Sequence, residues 1–159
     1  HMILNGADVT DEIRTPEMSQ AASLISAQKA VREFLLDVQR ALARKNNVIM
    51  DGRDIGTVVL PQADVKIFLT ADVAVRAQRR WLELQEKGGK QTLNQVQKDL
   101  AQRDLQDSTR AIAPLKQAKD AIVLDTSELD LPASVQALQR IVEERIGQVP
   151  ECKQVPECK

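Results

Sequence analysis

The sequence predicts an α/β domain built on a parallel sheet, and three observations carry that prediction. Three short apolar runs, "VIM" at 48–50, "VKIFL" at 65–69 and "AIVLD" at 121–125, are rich in β-branched residues and do not alternate with polar ones. Each run is followed by polar residues, the pattern of strands covered on both faces. Stretches of helical periodicity lie between and around these runs with no long linker, so a single domain of strands and helices is expected.

Taken in order, the first helical stretch runs from Glu17 to Arg44, with apolar Val31, Leu35, Val38 and Leu42 at helical spacing and a possible break at Gln28-Lys29. The strand at 48–50 then ends in "DGRDIG", residues 51–56. After the strand at 65–69, Asp72 is placed to cap a helix that stops at Gly88-Gly89. A further helix is expected from Leu93 to about Asp107. Beyond the strand at 121–125, Pro132 sits at a favoured first-turn position of a last helix reaching Ile146. At the ends, His1-Met2 reads as a cloning remnant, and "QVPECK" occurs twice at 148–159 as a tail expected to be disordered. Two six-residue units are too few and too short to build a solenoid.

Composition excludes several chemistries. The only histidine is His1, there is no tyrosine, and both cysteines, Cys152 and Cys158, lie in the repeated tail. Histidine-dependent nucleophilic catalysis and histidine-ligated metals therefore lack their central group. A formal net charge of -1 argues against binding nucleic acid through bulk charge. No apolar run approaches the ~20 residues of a bilayer span, so a soluble, cytoplasmic protein is expected. What remains is carboxylates, arginines, lysines and hydroxyls.

Two charged clusters stand out. At the carboxyl end of a parallel strand, where ligands usually bind, "DGRDIG" offers glycines that allow close backbone approach and an arginine whose planar fork suits phosphate. Asp51, Arg53 and Asp54 pairing with one another at a turn is an equal alternative on these residues alone. Downstream, Arg76, Arg79 and Arg80 are spaced i, i+3, i+4 and so share a helix face. Arg103, Asp107 and Arg110 at i, i+4, i+7 do the same if their helix continues. Residues 76–110 hold eight basic and five acidic side chains, either a segment that closes over polyphosphate, with Gly88-Gly89 as its hinge, or a solvated helix pair laced with salt bridges.

The runs "NGADVTDEIRTPEMSQAAS", "AVREFLLDVQR", "DGRDIGTVVLPQADVKIFLTA", "RRWLELQEKG", "QRDLQDSTRAIAPL" and "DAIVLDTSEL", in that order, resemble bacterial-type cytidylate kinase, with a continuous match from Ile3 to Ile146. The resemblance implies a parallel-sheet P-loop nucleoside monophosphate kinase fold, with ATP and Mg²⁺ phosphorylating CMP or dCMP. Residues 3–47 would belong to the CMP-binding region, and 48–147 to the C-terminal part of the kinase core, with a lid at about 76–110. Ser23, Arg32 and Asp54 match positions that recognise cytosine. Arg53, Arg103 and Arg110 match arginines on the acceptor phosphate and the transferring group, and Asp107 matches the acid that reads the sugar. Arg76, Arg79 and Arg80 would start the lid over ATP. Arg14 falls in a recurrent stretch without an assigned role.

One departure is large. The family opens with a strand running into a G-x-x-x-x-G-K-[ST] loop that cradles the ATP phosphates, and no such run occurs in these 159 residues. The expectation is an N-terminally truncated fold lacking its central strand, with 48–51 and 65–69 left as its neighbours. Such a chain is expected to be inactive alone, and to need the missing segment or another chain to complete the sheet. The alternative is a non-catalytic nucleotide-binding or structural fragment of the same fold.

Overall fold

The computed structural model describes residues 1–147, and the repeated tail with its two cysteines lies outside the described residues. The chain divides into two compact units, one of residues 1–50 with Arg110–Ile112, the other of Asp51–Thr109 with the residues from Ala113 onward.

The first unit opens with a hairpin, an element beyond the three expected strands. Strands β1 (Ile3–Leu4) and β2 (Ala7–Asp8) pair antiparallel across Asn5-Gly6, both at positive φ, 50° and 84°. Two positive φ values are the requirement of a type I′ turn, which Asn-Gly meets best. His1 and Met2, set aside as a remnant, take part: Val9 N donates to the Met2 carbonyl at 2.8 Å and Met2 N donates to Thr10 Oγ1 at 2.7 Å. A 3₁₀ turn at Glu12–Arg14 leads into α1 (Pro16–Ser26), whose first turn is capped by Thr15 Oγ1 accepting from Met18 N. Helix α2 (Lys29–Lys45) follows after Ala27 and Gln28, so the break falls where Gln28-Lys29 suggested it.

Residues 48–50 form no strand, contrary to expectation. A strand exists only as part of a hydrogen-bonded ladder, and among the described residues none offers this segment one. Apolar sequence alone does not make it pair, and Ile49 stays fully exposed.

In the second unit the parallel pairing is present. Strands β3 (Ile67–Thr70) and β4 (Ile122–Asp125) run parallel in the register Ile67 to Ile122 through Thr70 to Asp125. Their carboxyl ends are tied by side chains. Thr126 Oγ1 donates to the Thr70 carbonyl at 3.2 Å, Asp72 N donates to Ser127 Oγ at 2.8 Å, and that hydroxyl donates to Asp125 Oδ1 at 2.6 Å. From this junction α3 (Val73–Glu86) starts, with Asp72 Oδ1 accepting from Ala74 N as its N-cap. Helix α4 (Leu93–Thr109) packs back on α3, with Ala77 of α3 and Val96 of α4 both buried and Arg76 bridging to Asp104 at 2.7 Å. Helix α5 (Leu131–Ile146) closes the unit under an Asp130 N-cap, with Pro132 in its first turn.

The end of α3 is a Schellman motif. Gly88 at φ +77° donates to the Gln85 carbonyl at 2.9 Å, and Gly89 N donates to the Leu84 carbonyl at 2.7 Å. The two glycines serve different ends. A Cβ on Gly88 meets nothing within 4 Å, so Gly88→Ala costs only the left-handed backbone, about 1 kcal/mol. A Cβ on Gly89 falls 2.8 Å from the Leu84 carbonyl oxygen and displaces the capping bond. Chemical denaturation of the two variants is therefore expected to rank Gly89→Ala as the more destabilising, and the reverse order contradicts this account of the cap.

Four carboxylates are held below their usual range by hydrogen bonds: Asp8 by the hydroxyl and amide of Thr10, Glu83 by Lys87 and Arg80, Asp120 by Lys66, and Asp125 by the hydroxyl and amide of Ser127. A folded value below the unfolded one stabilises the protein above the unfolded pKa of about 4 and loses that contribution as pH falls through the folded value. The thermal unfolding midpoint should therefore drop on acidification below about pH 4. A midpoint at pH 3 equal to that at pH 6 contradicts these assignments.

Candidate functional site

The loop after Met50 does not leave a strand but enters a widened turn. Residues Ile55–Val59 form a single π-helical turn in which the Asp54 carbonyl accepts from the amides of Thr57, Val58 and Val59, and Leu60 N reaches the Ile55 carbonyl at 2.7 Å. Such i to i+5 turns are rare and concentrate at functional sites. Gly52 makes the approach possible, since a Cβ there would lie 2.9 Å from Ile55 Cγ1. The turn leaves Asp54 buried and Val59 beneath it in the core.

Arg53, beside Asp54, reaches across 54 positions of sequence to α4, where its Nε donates to Asp107 Oδ2 at 3.1 Å. Arg103 approaches the same oxygen, Nε to Oδ2 4.0 Å, from one turn earlier on α4. The acid is buried, its side chain 8% exposed, while the two arginines are 40% and 44% exposed. One buried carboxylate oxygen thus takes a hydrogen bond from Arg53 and lies at ion-pair distance from Arg103, while both arginine side chains stay partly exposed. Planar guanidinium groups placed side by side suit a tetrahedral anion such as phosphate.

Helix α4 stops at Thr109, so Arg110 lies one residue past its end. It is grouped with the first unit, and the helix that would carry the spacing from Asp107 ends one residue before it.

The three arginines of α3 engage separate partners. Arg76 donates through Nε to the Ala71 carbonyl and through Nη2 to Asp104. Arg79 Nη2 donates to the carbonyls of Thr126, at 2.6 Å, and Leu129, at 2.8 Å. Arg80 pairs with Glu83, which also takes Lys87. Ion pairs and carbonyl contacts account for this face. Thr126, Leu129 and Asp104, which receive these arginines, were not singled out in the sequence. Carbonyl acceptors leave no mark in a sequence, whereas Asp104 could have been found as an acid adjacent to Arg103.

In the first unit, Ser23 and Arg32 are linked through Ser26. Arg32 Nη1 donates to the Ser26 carbonyl at 3.2 Å, and Ser26 Oγ donates to the Ser23 carbonyl at 3.0 Å. Both Ser23 and Arg32 are half-buried, so neither is a fully solvated surface group. No His, Cys, Asp and Glu group that could hold a metal ion occurs among the described residues, and none of their helices is long and apolar enough to cross a membrane.

A family model described as cytidylate kinase matches residues 1–144. The cytidylate kinase of Lactobacillus gasseri is 51% identical over 142 residues, 89% of this chain and 62% of the relative. That of Shouchella clausii is 50% identical over 144 residues, covering 91% of this chain and 64% of the relative. That of Thermosipho melanesiensis is 45% identical over 145 residues, covering 91% and 67%. The chain therefore spans about three fifths to two thirds of the length of these curated relatives. With nine tenths of its 159 residues matched by the family model, the chain belongs to the cytidylate kinase family.

Proposed function

We propose that this chain contributes the acceptor-nucleotide half of a kinase that transfers the γ-phosphoryl group of ATP to CMP or dCMP. The observation that carries the reading is the pair of partly exposed arginines, Arg53 and Arg103, gathered on buried Asp107. Phosphoryl transfer asks a protein chiefly for positioning and for positive charge around the transferring oxygens. Arginines meet that demand without a histidine or cysteine nucleophile, and the chain's described residues hold neither apart from His1.

In this reading Arg53, Arg103 and Arg110 hold the acceptor phosphate and the transferring group, and Asp107 reads the sugar. Ser23, Arg32 and Asp54 select cytosine, because an amino-bearing pyrimidine offers donors that a carboxylate accepts. Arg76, Arg79 and Arg80 belong to the ATP lid, and their carbonyl and carboxylate contacts would have to be exchanged for phosphate on closure. Mg²⁺ accompanies ATP on its phosphates. The glycine-rich ATP cradle and the strand completing the sheet would come from sequence outside the 159 residues, and β3 and β4 each keep an unpaired edge among the described residues.

Two experiments test the proposal. Calorimetry should show CMP binding more tightly than UMP, with Asp54→Asn reducing that preference about tenfold, the scale of one charge-assisted hydrogen bond. Equal binding of the two nucleotides contradicts cytosine selection. A coupled assay of ADP release with CMP should show negligible turnover by this chain alone and recovery when a fragment carrying the glycine-rich loop is added. Absence of turnover with the fragment present contradicts the kinase reading.

A further inference from the structure

We propose that Asp107 is a positioning residue for the acceptor phosphate, acting through Arg53 and Arg103 in addition to any contact with the sugar. This rests on the reading above, in which those two arginines hold the phosphate. The geometry is specific. Asp107 Oδ2 accepts from Nε of Arg53 at 3.1 Å and stands 4.0 Å from Nε of Arg103, so the carboxylate meets both guanidinium groups on their inner, Nε side. Among the described residues Nη1 and Nη2 of Arg53 take no protein acceptor, which leaves that outer edge for two parallel hydrogen bonds to a phosphate.

The arrangement removes a cost that binding would otherwise carry. An arginine side chain has about 2 kcal/mol of rotamer entropy. Holding Nε on a fixed carboxylate confines the guanidinium before the ligand arrives. Asp107 is itself held in place: it is buried, it lies on α4, and its backbone carbonyl accepts from Leu115 N at 2.7 Å. The carboxylate also supplies the negative charge that lets two guanidinium groups stand close together before a phosphate is present.

A role confined to the sugar and a role through the arginines differ in one measurable quantity. CMP and cytidine share the base and the ribose, so the ratio of their affinities isolates the phosphate contribution, whatever Asp107 does at the sugar. Calorimetry on the whole chain with CMP and cytidine should give a ratio that falls at least about tenfold in Asp107→Asn. Asp107→Glu, which keeps the charge, should recover part of it. Arg53→Lys should show a similar fall, and the double variant Arg53→Lys with Asp107→Asn little further loss, because the two residues act as one unit. Far-UV circular dichroism and the thermal unfolding midpoint report whether each variant keeps its fold. An unchanged ratio in Asp107→Asn overturns the positioning role while leaving the acceptor reading intact. A wild-type chain that binds CMP no better than cytidine overturns the acceptor reading itself, and the positioning role with it.

Discussion

The hydrogen-bonded ion pair between Arg53 and Asp107 is the contact on which the candidate site depends, because it joins the loop at 51–54 to α4 across 54 positions of sequence. Its geometry is fixed in turn by a chain of packing steps. Strands β3 and β4 pair in parallel, and Thr126, Ser127 and Asp72 tie their carboxyl ends together. That junction sets the start of α3, and Ala77, Val96 and the Arg76 to Asp104 bridge set α4 against it. Only then does Asp107 stand where Arg53 can reach it. The candidate site is thus positioned from the carboxyl end of the parallel strand pair, the end at which α/β folds generally bind ligands.

This order is maintained with a small core. Val59, Ala71, Ala77 and Val96 are the buried apolar residues among those described, while Leu69, Val123 and Leu131 are exposed. Local devices therefore carry much of the definition of each element: the Asp72 and Asp130 caps, the Schellman motif at Gly88-Gly89, and the π turn folded over Gly52. Each is worth on the order of 1 kcal/mol, so together they matter in a chain whose apolar burial is limited.

Features specified by a few neighbouring residues were legible in the sequence. Asp72 before an apolar-periodic run, glycines after its last turn, Pro132 just inside α5 and the break at Gln28 all act locally, and the structure places each where local chemistry requires. The hairpin at 3–8 is of the same local kind, specified by Asn5-Gly6. Features that depend on distant partners were not legible. The run at 48–50 looks like a strand yet has no ladder among the described residues, and α4 ends at Thr109, one residue before Arg110. The pairing of Arg53 with Asp107 lies between these cases. Both residues were marked as charged site candidates, but only the fold shows that they meet.

The chain belongs to the cytidylate kinase family, and two arginines on one buried acid are chemically suited to a phosphate group. The most direct measurement of the central claim is a crystal structure of the chain with CMP bound. The account predicts the CMP phosphate on Nη1 and Nη2 of Arg53 and beside Arg103, with Arg53 Nε still donating to Asp107. A phosphate bound away from both arginines, or an Arg53 that leaves Asp107 to reach it, would contradict the account.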